Sequence, residues 1–222
     1  MYIQERHFTR IPRHIGVIPD GNRRWALSKQ MEKHGGYAHG VQPGVRLYEL
    51  MVEAGVEEAS FYAFTRDNTS RPAAQTQAYV KASVDAVLAL AERDANILVV
   101  GNTDSSVFPE ELLPYTKGRV RCGKGLINVN FLVNYDWNWD LCHAFRGGQQ
   151  PKEILPLLAS RDISRMDMVI RWGGHTRLSG FLPVQSVYSD FYVVREYWPD
   201  FVDEHFLDAL TWYQTCDVTL GG

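Results

Sequence analysis

His14-Ile15-Gly16-Val17-Ile18-Pro19-Asp20-Gly21-Asn22-Arg23-Arg24-Trp25 is the stretch on which the fold turns. Residues 15–18 form a short, mostly β-branched run that stops at Pro19-Asp20-Gly21-Asn22, a cluster of turn formers, so they read as a strand entering a loop. Downstream, Val41, Val45, Tyr48 and Val52 recur at helical spacing, with Gly55 placed as a stop. Residues 59–64 follow as an aromatic-rich strand, which completes the strand, helix, strand rhythm of a parallel sheet.

The rhythm continues outward. Residues 73–96 carry Val80, Val84, Val87 and Ala91 on one helical stripe, and residues 97–100 read as a strand. Residues 126–133 alternate Ile127, Val129, Phe131 and Val133 with polar neighbours, as a strand does. Residues 136–145 and 152–159 are weaker helices, the second containing Pro156; residues 168–171 make a last short strand. Asp203 reads as the N-cap of a helix carrying Phe206, Leu210 and Tyr213. No repeat or interdomain linker breaks the series, so residues 1–222 are expected to form one α/β domain with a mostly parallel central sheet flanked by helices.

Composition limits what such a domain does. At 222 residues, with 45% hydrophobic and 22% charged, the chain can bury about 70% of its unfolded surface and needs no disulfide or structural metal. Cys122, Cys142 and Cys216 form no CxxC pair, which points to a reduced, cytoplasmic setting. The 23 Lys+Arg against 26 Asp+Glu leave a net charge of −3, so no basic field gathers nucleic acid. Apolar stretches such as residues 97–100 fall far short of the roughly 18 to 20 residues of a membrane helix, and residues 1–10 have no apolar h-region. No transmembrane segment and no export are expected.

Three polar clusters each follow a strand: Asp20-Gly21-Asn22-Arg23-Arg24, Thr65-Arg66-Asp67-Asn68 with Arg71, and Gly173-Gly174-His175-Thr176-Arg177. Taken singly, the first is a turn, the arginines are ordinary surface residues, and His175 is one more histidine. Together they stand at corresponding strand ends, where ligands bind in open parallel sheets. They bring six arginines (Arg23, Arg24, Arg66, Arg71, Arg171, Arg177) into one crevice of a slightly acidic chain. Arginine forks and glycine-bearing turns that open helices suit phosphate or diphosphate. Neither a GxxxxGK[ST] loop nor GxGxxG occurs, so a nucleoside triphosphate or dinucleotide is not indicated. Asp20, among these cations, suits a hard divalent metal that bridges to phosphate oxygens. Of the nearby rings Trp25, Phe61, Phe64, Tyr79, Trp137, Trp139, Trp172 and Phe181, most are expected in the core. A few facing the crevice, with Trp25 and Phe64 as the candidates, would suit an apolar tail or a carbocation.

Residues 14–26, from His14 through Pro19-Asp20-Gly21-Asn22 to Trp25-Ala26, resemble the cis-prenyltransferase (undecaprenyl diphosphate synthase) signature H-[IV]-x-x-[IV]-M-D-G-N-x-R-W-A. Tyr62-Ala63-Phe64-Thr65-Arg66-Asp67-Asn68 with Arg71-Pro72 resembles the family's Y-A-F-S-x-E-N-x-x-R-P. Ile170-Arg171-Trp172-Gly173-Gly174-His175-Thr176-Arg177-Leu178-Ser179 resembles I-R-T-G-G-E-x-R-L-S, and Tyr197-Trp198-Pro199-Asp200-Phe201 resembles L-W-P-D-F. The resemblance implies a homodimeric, magnesium-dependent enzyme that ionises an allylic diphosphate and joins the cation to a second isoprenoid diphosphate. It implies that Asp20 holds Mg2+, with Asp190 where the family has a metal-binding glutamate. Gly21, Asn22, Arg23 and Arg24 would cradle the allylic diphosphate, Asn68 and Arg71 would stand near the reacting ends, and Arg171, Arg177 and Ser179 would bind the second diphosphate.

Several departures fall around the second-substrate site. Pro19 replaces Met, Asp67 replaces Glu, His175 replaces the Glu after the glycine pair, Tyr37 replaces a His, Thr69 stands where an aromatic is common, and Lys33 fills the place of an arginine. This pattern resembles the family's irregular branch, the lavandulyl and cyclolavandulyl diphosphate synthases, which couple two dimethylallyl diphosphates head-to-middle. Asp67, His175 or the released diphosphate would remove the final proton. Two alternatives stand beside this: regular short-chain condensation with isopentenyl diphosphate, and a non-catalytic partner subunit. Retention of Asp20, Asn68, Arg71, Arg171 and Arg177 argues against the second.

Overall fold

The computed structural model describes residues 6–145 and 153–217. Its strands are β1 (His14–Ile18), β2 (Glu58–Thr65), β3 (Ala95–Val100), β4 (Val120–Arg121), β5 (Ile127–Tyr135), β6 (Met168–Arg171) and β7 (Asp190–Val193). Its α-helices are α1 (Asn22–Ser28), α2 (Val41–Ala54), α3 (Ala73–Ala91), α4 (Trp137–Ala144) and α5 (Asp203–Tyr213). Among the described residues the strands make one sheet, ordered β4-β3-β5-β2-β1-β6-β7 and parallel except for the β3–β4 pair.

The apolar runs explain the layers. β1, β2, β3, β5 and β6 are buried along almost their whole length, as strands covered on both faces must be. One face packs Val17, Phe61, Phe131 and Ile170 with residues of α2, α3 and α5; the other packs Ile18, Leu132 and Val169 with Ile163, Phe181 and Leu182. α2 ends at Gly55 in the left-handed region (φ 82°), the stop its position predicts.

Two expectations need correction, and two short strands, β4 and β7, had no counterpart in the sequence reading. Residues 152–159 do not form a helix: Leu155–Leu157 make a single 3-10 turn and Leu158 is extended, while Lys152 lies outside the described residues. Pro156, which has no N–H and constrains Leu155 before it, sustains nothing longer. Asp203 is the first residue of α5 and not its cap: extended Val202 holds the cap position, and the Asp203 carboxylate is turned to Arg46, whose Nε donates to it at 3.0 Å. β7 was not expected, since four half-buried residues carry little pattern, and it adds to the sheet edge parallel to β6.

The amino-terminal edge of the sheet holds a buried polar group. His14 Nε2 meets Ser60 Oγ at 2.8 Å, and Glu58 accepts from Asn130 Nδ2 (2.7 Å), Ser164 Oγ (2.6 Å) and Arg119 (2.9 Å). Burial pushes the His14 imidazole below its ordinary range, against the opposing pull of Glu58. The unfolded chain therefore takes up the proton first as pH falls, and stability present above about pH 6.5 drains away below it, by up to about 1.4 kcal/mol per pH unit. Urea unfolding at pH 7.5, 6.5 and 5.5 measures the slope, which should flatten in His14→Asn. An equal slope in both proteins would remove His14 as its source.

Candidate active site

The chain leaves β1 toward α1, α2 and β2 on one side of the sheet order, whereas β6 lies on the other side of β1. The loops after β1 and β6 therefore diverge from adjacent strand ends and open a crevice, the switch point where parallel sheets bind ligands. One ion pair spans it: Arg171 Nη2, at the end of β6, donates to Asp20 Oδ2, just past β1, at 2.7 Å. Register puts them there, since Ile18 pairs with Arg171.

Local conformation holds the crevice walls. Gly21 sits at φ 102°, and a Cβ there would come within 2.7 Å of the Tyr197 ring, so only glycine lets the turn deliver Asn22 and Arg23 into α1. Gly21 N–H donates to Asp20 Oδ1 at 2.6 Å and Asn22 Nδ2 to Pro19 O at 2.8 Å. Gly173 at φ 83° leaves space for Arg24, whose Nη1 donates to Gly173 O at 2.8 Å; a Cβ there would stand 2.6 Å from Arg24 Nη2. Arg171 Nη1 donates to Ser179 Oγ at 3.0 Å and to the Arg177 carbonyl. Ser179 adopts φ 54°, a left-handed conformation uncommon for serine, and its carbonyl is held by Tyr62 OH at 2.7 Å. Thr65 N–H donates to Asn68 Oδ1 at 3.0 Å, which locks the Asn68 side chain at the rim.

The resulting cavity has a volume of about 580 Å³, in the range of small-molecule sites. Asp20, Gly21, Asn22, Arg23, Arg24, Lys33, Asp67, Asn68, Arg71, Arg171, His175, Arg177 and Ser179 all line it. Trp25 and Phe64 do not. Trp25 points away from the cavity, packed on His39 and donating from Nε1 to Asp200 at 2.7 Å, while Phe64 is fully buried in the core. Asp190 begins β7 in register with Met168, itself level with Ile15, so within one chain it stands away from Asp20, toward the opposite end of the strands. Arg66 turns outward to Asp136 at 2.8 Å. Tyr37, Tyr62 and Tyr79 line the cavity without having been singled out for it, although Tyr79 was among the nearby rings and Tyr37 departs from the family pattern.

Charge in the crevice is uneven. Burial opposes ionisation of Asp20, but the Arg171 hydrogen bond and charge, Arg24 and the Gly21 N–H outweigh it and hold the carboxyl below its ordinary range. His175 is pushed below its ordinary range by desolvation and by Arg24 and Arg177, so its imidazole is neutral at neutral pH. Asn22 Oδ1, Arg23 Nε, Arg24 Nη2 and Arg171 Nε are buried without a hydrogen-bond partner, four of the eight such side-chain atoms among the described residues. Five arginines, Arg23, Arg24, Arg71, Arg171 and Arg177, line this cavity, which makes it the complement of a polyanion.

Among the described residues no three His, Cys, Asp or Glu side chains group closely enough to hold a metal by themselves. Asp20 does fit magnesium bound with substrate: an ionised carboxylate set among phosphate-type donors is the usual protein share of such a site, the remaining ligands being substrate oxygens and water. No helix among the described residues is long and apolar enough to cross a membrane.

A family profile described as "Putative undecaprenyl diphosphate synthase" matches residues 18–221. The ditrans,polycis-undecaprenyl-diphosphate synthase ((2E,6E)-farnesyl-diphosphate specific) of Pseudomonas putida is 31% identical over 219 residues, covering 90% of this chain and 86% of that one. An isoprenyl transferase of Geobacillus kaustophilus is 28% identical over 231 residues, with 96% and 89% covered. Among solved structures, lavandulyl diphosphate synthase from Lavandula x intermedia in complex with dimethylallyl diphosphate superposes with a TM-score of 0.82 at 23% identity, covering 95% of this chain and 98% of that one, a likeness of fold.

Proposed function

The chain belongs to the undecaprenyl diphosphate synthase family and is a prenyltransferase; from that premise we propose that it couples two dimethylallyl diphosphates head-to-middle into a ten-carbon lavandulyl-type diphosphate. What most supports this is the convergence of Arg23, Arg24, Arg71, Arg171 and Arg177 on one cavity with Asp20 and a neutral His175. Gly21, Asn22, Arg23 and Arg24 take the leaving diphosphate of one substrate, and Arg177, Ser179 and Arg171 the diphosphate of the other. Magnesium held by Asp20 and the substrate would neutralise charge building on the leaving group.

In the reaction the C1–O bond of the donor breaks, both electrons leaving with diphosphate. The acceptor's double bond then forms a new bond from its C2 to the donor C1, which leaves a tertiary cation at the acceptor C3. Loss of a methyl proton from that centre gives the branched diphosphate. His175 is suited to take the proton, because desolvation, with Arg24 and Arg177 beside it, keeps it unprotonated at neutral pH; Asp67, which lines the same cavity, and the released diphosphate are the other acceptors. Reprotonation of the product within the cavity would lead on to a cyclolavandulyl skeleton. The family resemblance also supports a homodimer, checked by light scattering against the 25.3 kDa chain mass.

The second reading, regular cis condensation with isopentenyl diphosphate, is favoured by the curated relatives named undecaprenyl diphosphate synthases. Incubating the protein and magnesium with dimethylallyl diphosphate alone, then with isopentenyl diphosphate added, separates the two. A branched or cyclic ten-carbon alcohol after dephosphorylation of the first mixture is the expected result, with His175→Glu impairing or redirecting the coupling. Product formed only when isopentenyl diphosphate is present would overturn irregular coupling, and an unchanged profile in His175→Glu would take that residue out of the mechanism.

A further inference from the structure

We propose that the stacked rings of Tyr37 and Tyr79 form a fixed partition that confines the donor chain to five carbons. Both side chains line the polar cavity and also a second, apolar void behind it, between α2, α3 and the sheet. The rings stack with centroids 4.4 Å apart and 8° between planes. The pair is anchored at both hydroxyls: Arg71 Nη1 donates to Tyr37 OH at 2.8 Å, and Tyr79 OH donates to the Ala63 carbonyl. Phe64 stands edge-on to Tyr79, centroids 5.6 Å apart, and blocks its ring from behind.

Behind the partition the void is only about 60 Å³. That is less than half of the roughly 150 Å³ of an apolar cavity that admits benzene, so a further isoprene unit has no room unless the rings are displaced. Displacing them means breaking two hydrogen bonds and a stack against a packed core, so the partition acts as a wall and not a door. The region behind it is otherwise hospitable to an alkyl chain, being lined by residues such as Val41, Val45, Phe61, Ala86 and Leu90.

This inference rests on the polar cavity binding an allylic diphosphate, and the test separates the two. Binding of dimethylallyl and geranyl S-thiolodiphosphates, whose C–S bonds resist ionisation, is measured by calorimetry with magnesium. The wild type should prefer the five-carbon analogue by about tenfold or more, and Tyr37→Ala/Tyr79→Ala should shift that ratio at least about tenfold toward geranyl, the scale of two newly buried methylenes. Tyr79→Phe, which keeps the ring, should keep the wild-type ratio. Where the double variant does not fold, Tyr79→Leu carries the same comparison with its side chain still apolar. Equal binding of both analogues by the wild type, or an unmoved ratio in a folded ring-deleted variant, overturns the partition. Failure of the wild type to bind either analogue or inorganic diphosphate overturns the substrate reading of the cavity and the partition with it.

Discussion

Asp20→Asn is expected to give a folded protein with turnover reduced about 10³-fold or more, since it removes the carboxylate suited to magnesium from a cavity built to accept departing charge. The amide is isosteric, and its oxygen can still accept from Arg171, so the contact between the ends of β1 and β6 survives. Circular dichroism should show the native fold, with a melting point lowered by several degrees because the 5%-exposed Arg171 guanidinium loses its counter-charge while keeping a hydrogen-bond acceptor. The diphosphate-binding arginines remain in place, so inorganic diphosphate should still bind. Retained turnover in Asp20→Asn would sink the metal assignment; lost binding of inorganic diphosphate would instead mean that Asp20 chiefly organises the arginines.

Arg171→Met acts on the other half of the same pair and should differ in kind. The Arg171 side chain is 5% exposed and bonds to Asp20, Ser179 and the Arg177 carbonyl, so methionine fills part of its volume and satisfies none of those acceptors. Breaking a pair of this sort costs about 3 kcal/mol, toward the low end because Asp20 keeps 30% exposure, which corresponds to a fall in melting temperature of roughly 6–12 °C. Activity should fall with it. The Asp20 carboxyl, no longer held low by its main partner, moves back up. In the wild type a depressed carboxyl adds stability that is present above its ordinary range and lost as pH falls through the folded value; in Arg171→Met that acid-side loss shrinks. Thermal melts from pH 6 to pH 3 test this, and equal acid dependence in the two proteins would show that Arg171 is not what lowers Asp20.

The difference between these variants reflects how the site is built. Asp20 and the glycine turn after it lie next to one another in sequence and are recognisable there, because a strand followed by Pro-Asp-Gly-Asn has few other readings. Arg171 is recognisable as a cluster member, but its burial and its hold on Asp20, 151 residues away, arise from β1 and β6 lying side by side. Trp25, Phe64 and Asp190 mark the limit of local reading. Each matches a motif position or lies beside one, yet helix rotation turns Trp25 away, strand pleating buries Phe64, and within one chain the register of β7 carries Asp190 toward the opposite end of the strands.

The α/β order, the three loops that carry polar chemistry and the type of ligand they suit were legible in the chain alone, because strand and helix periods, turn residues and arginine forks are properties of short stretches. Tertiary structure alone decided which residues meet. The pairing of Asp20 with Arg171, the neutral state of His175 among arginines and the stacking of Tyr37 on Tyr79 all join segments far apart in the chain. Such contacts follow from sheet order and from the desolvation that packing imposes, and both are set by the whole domain folding together.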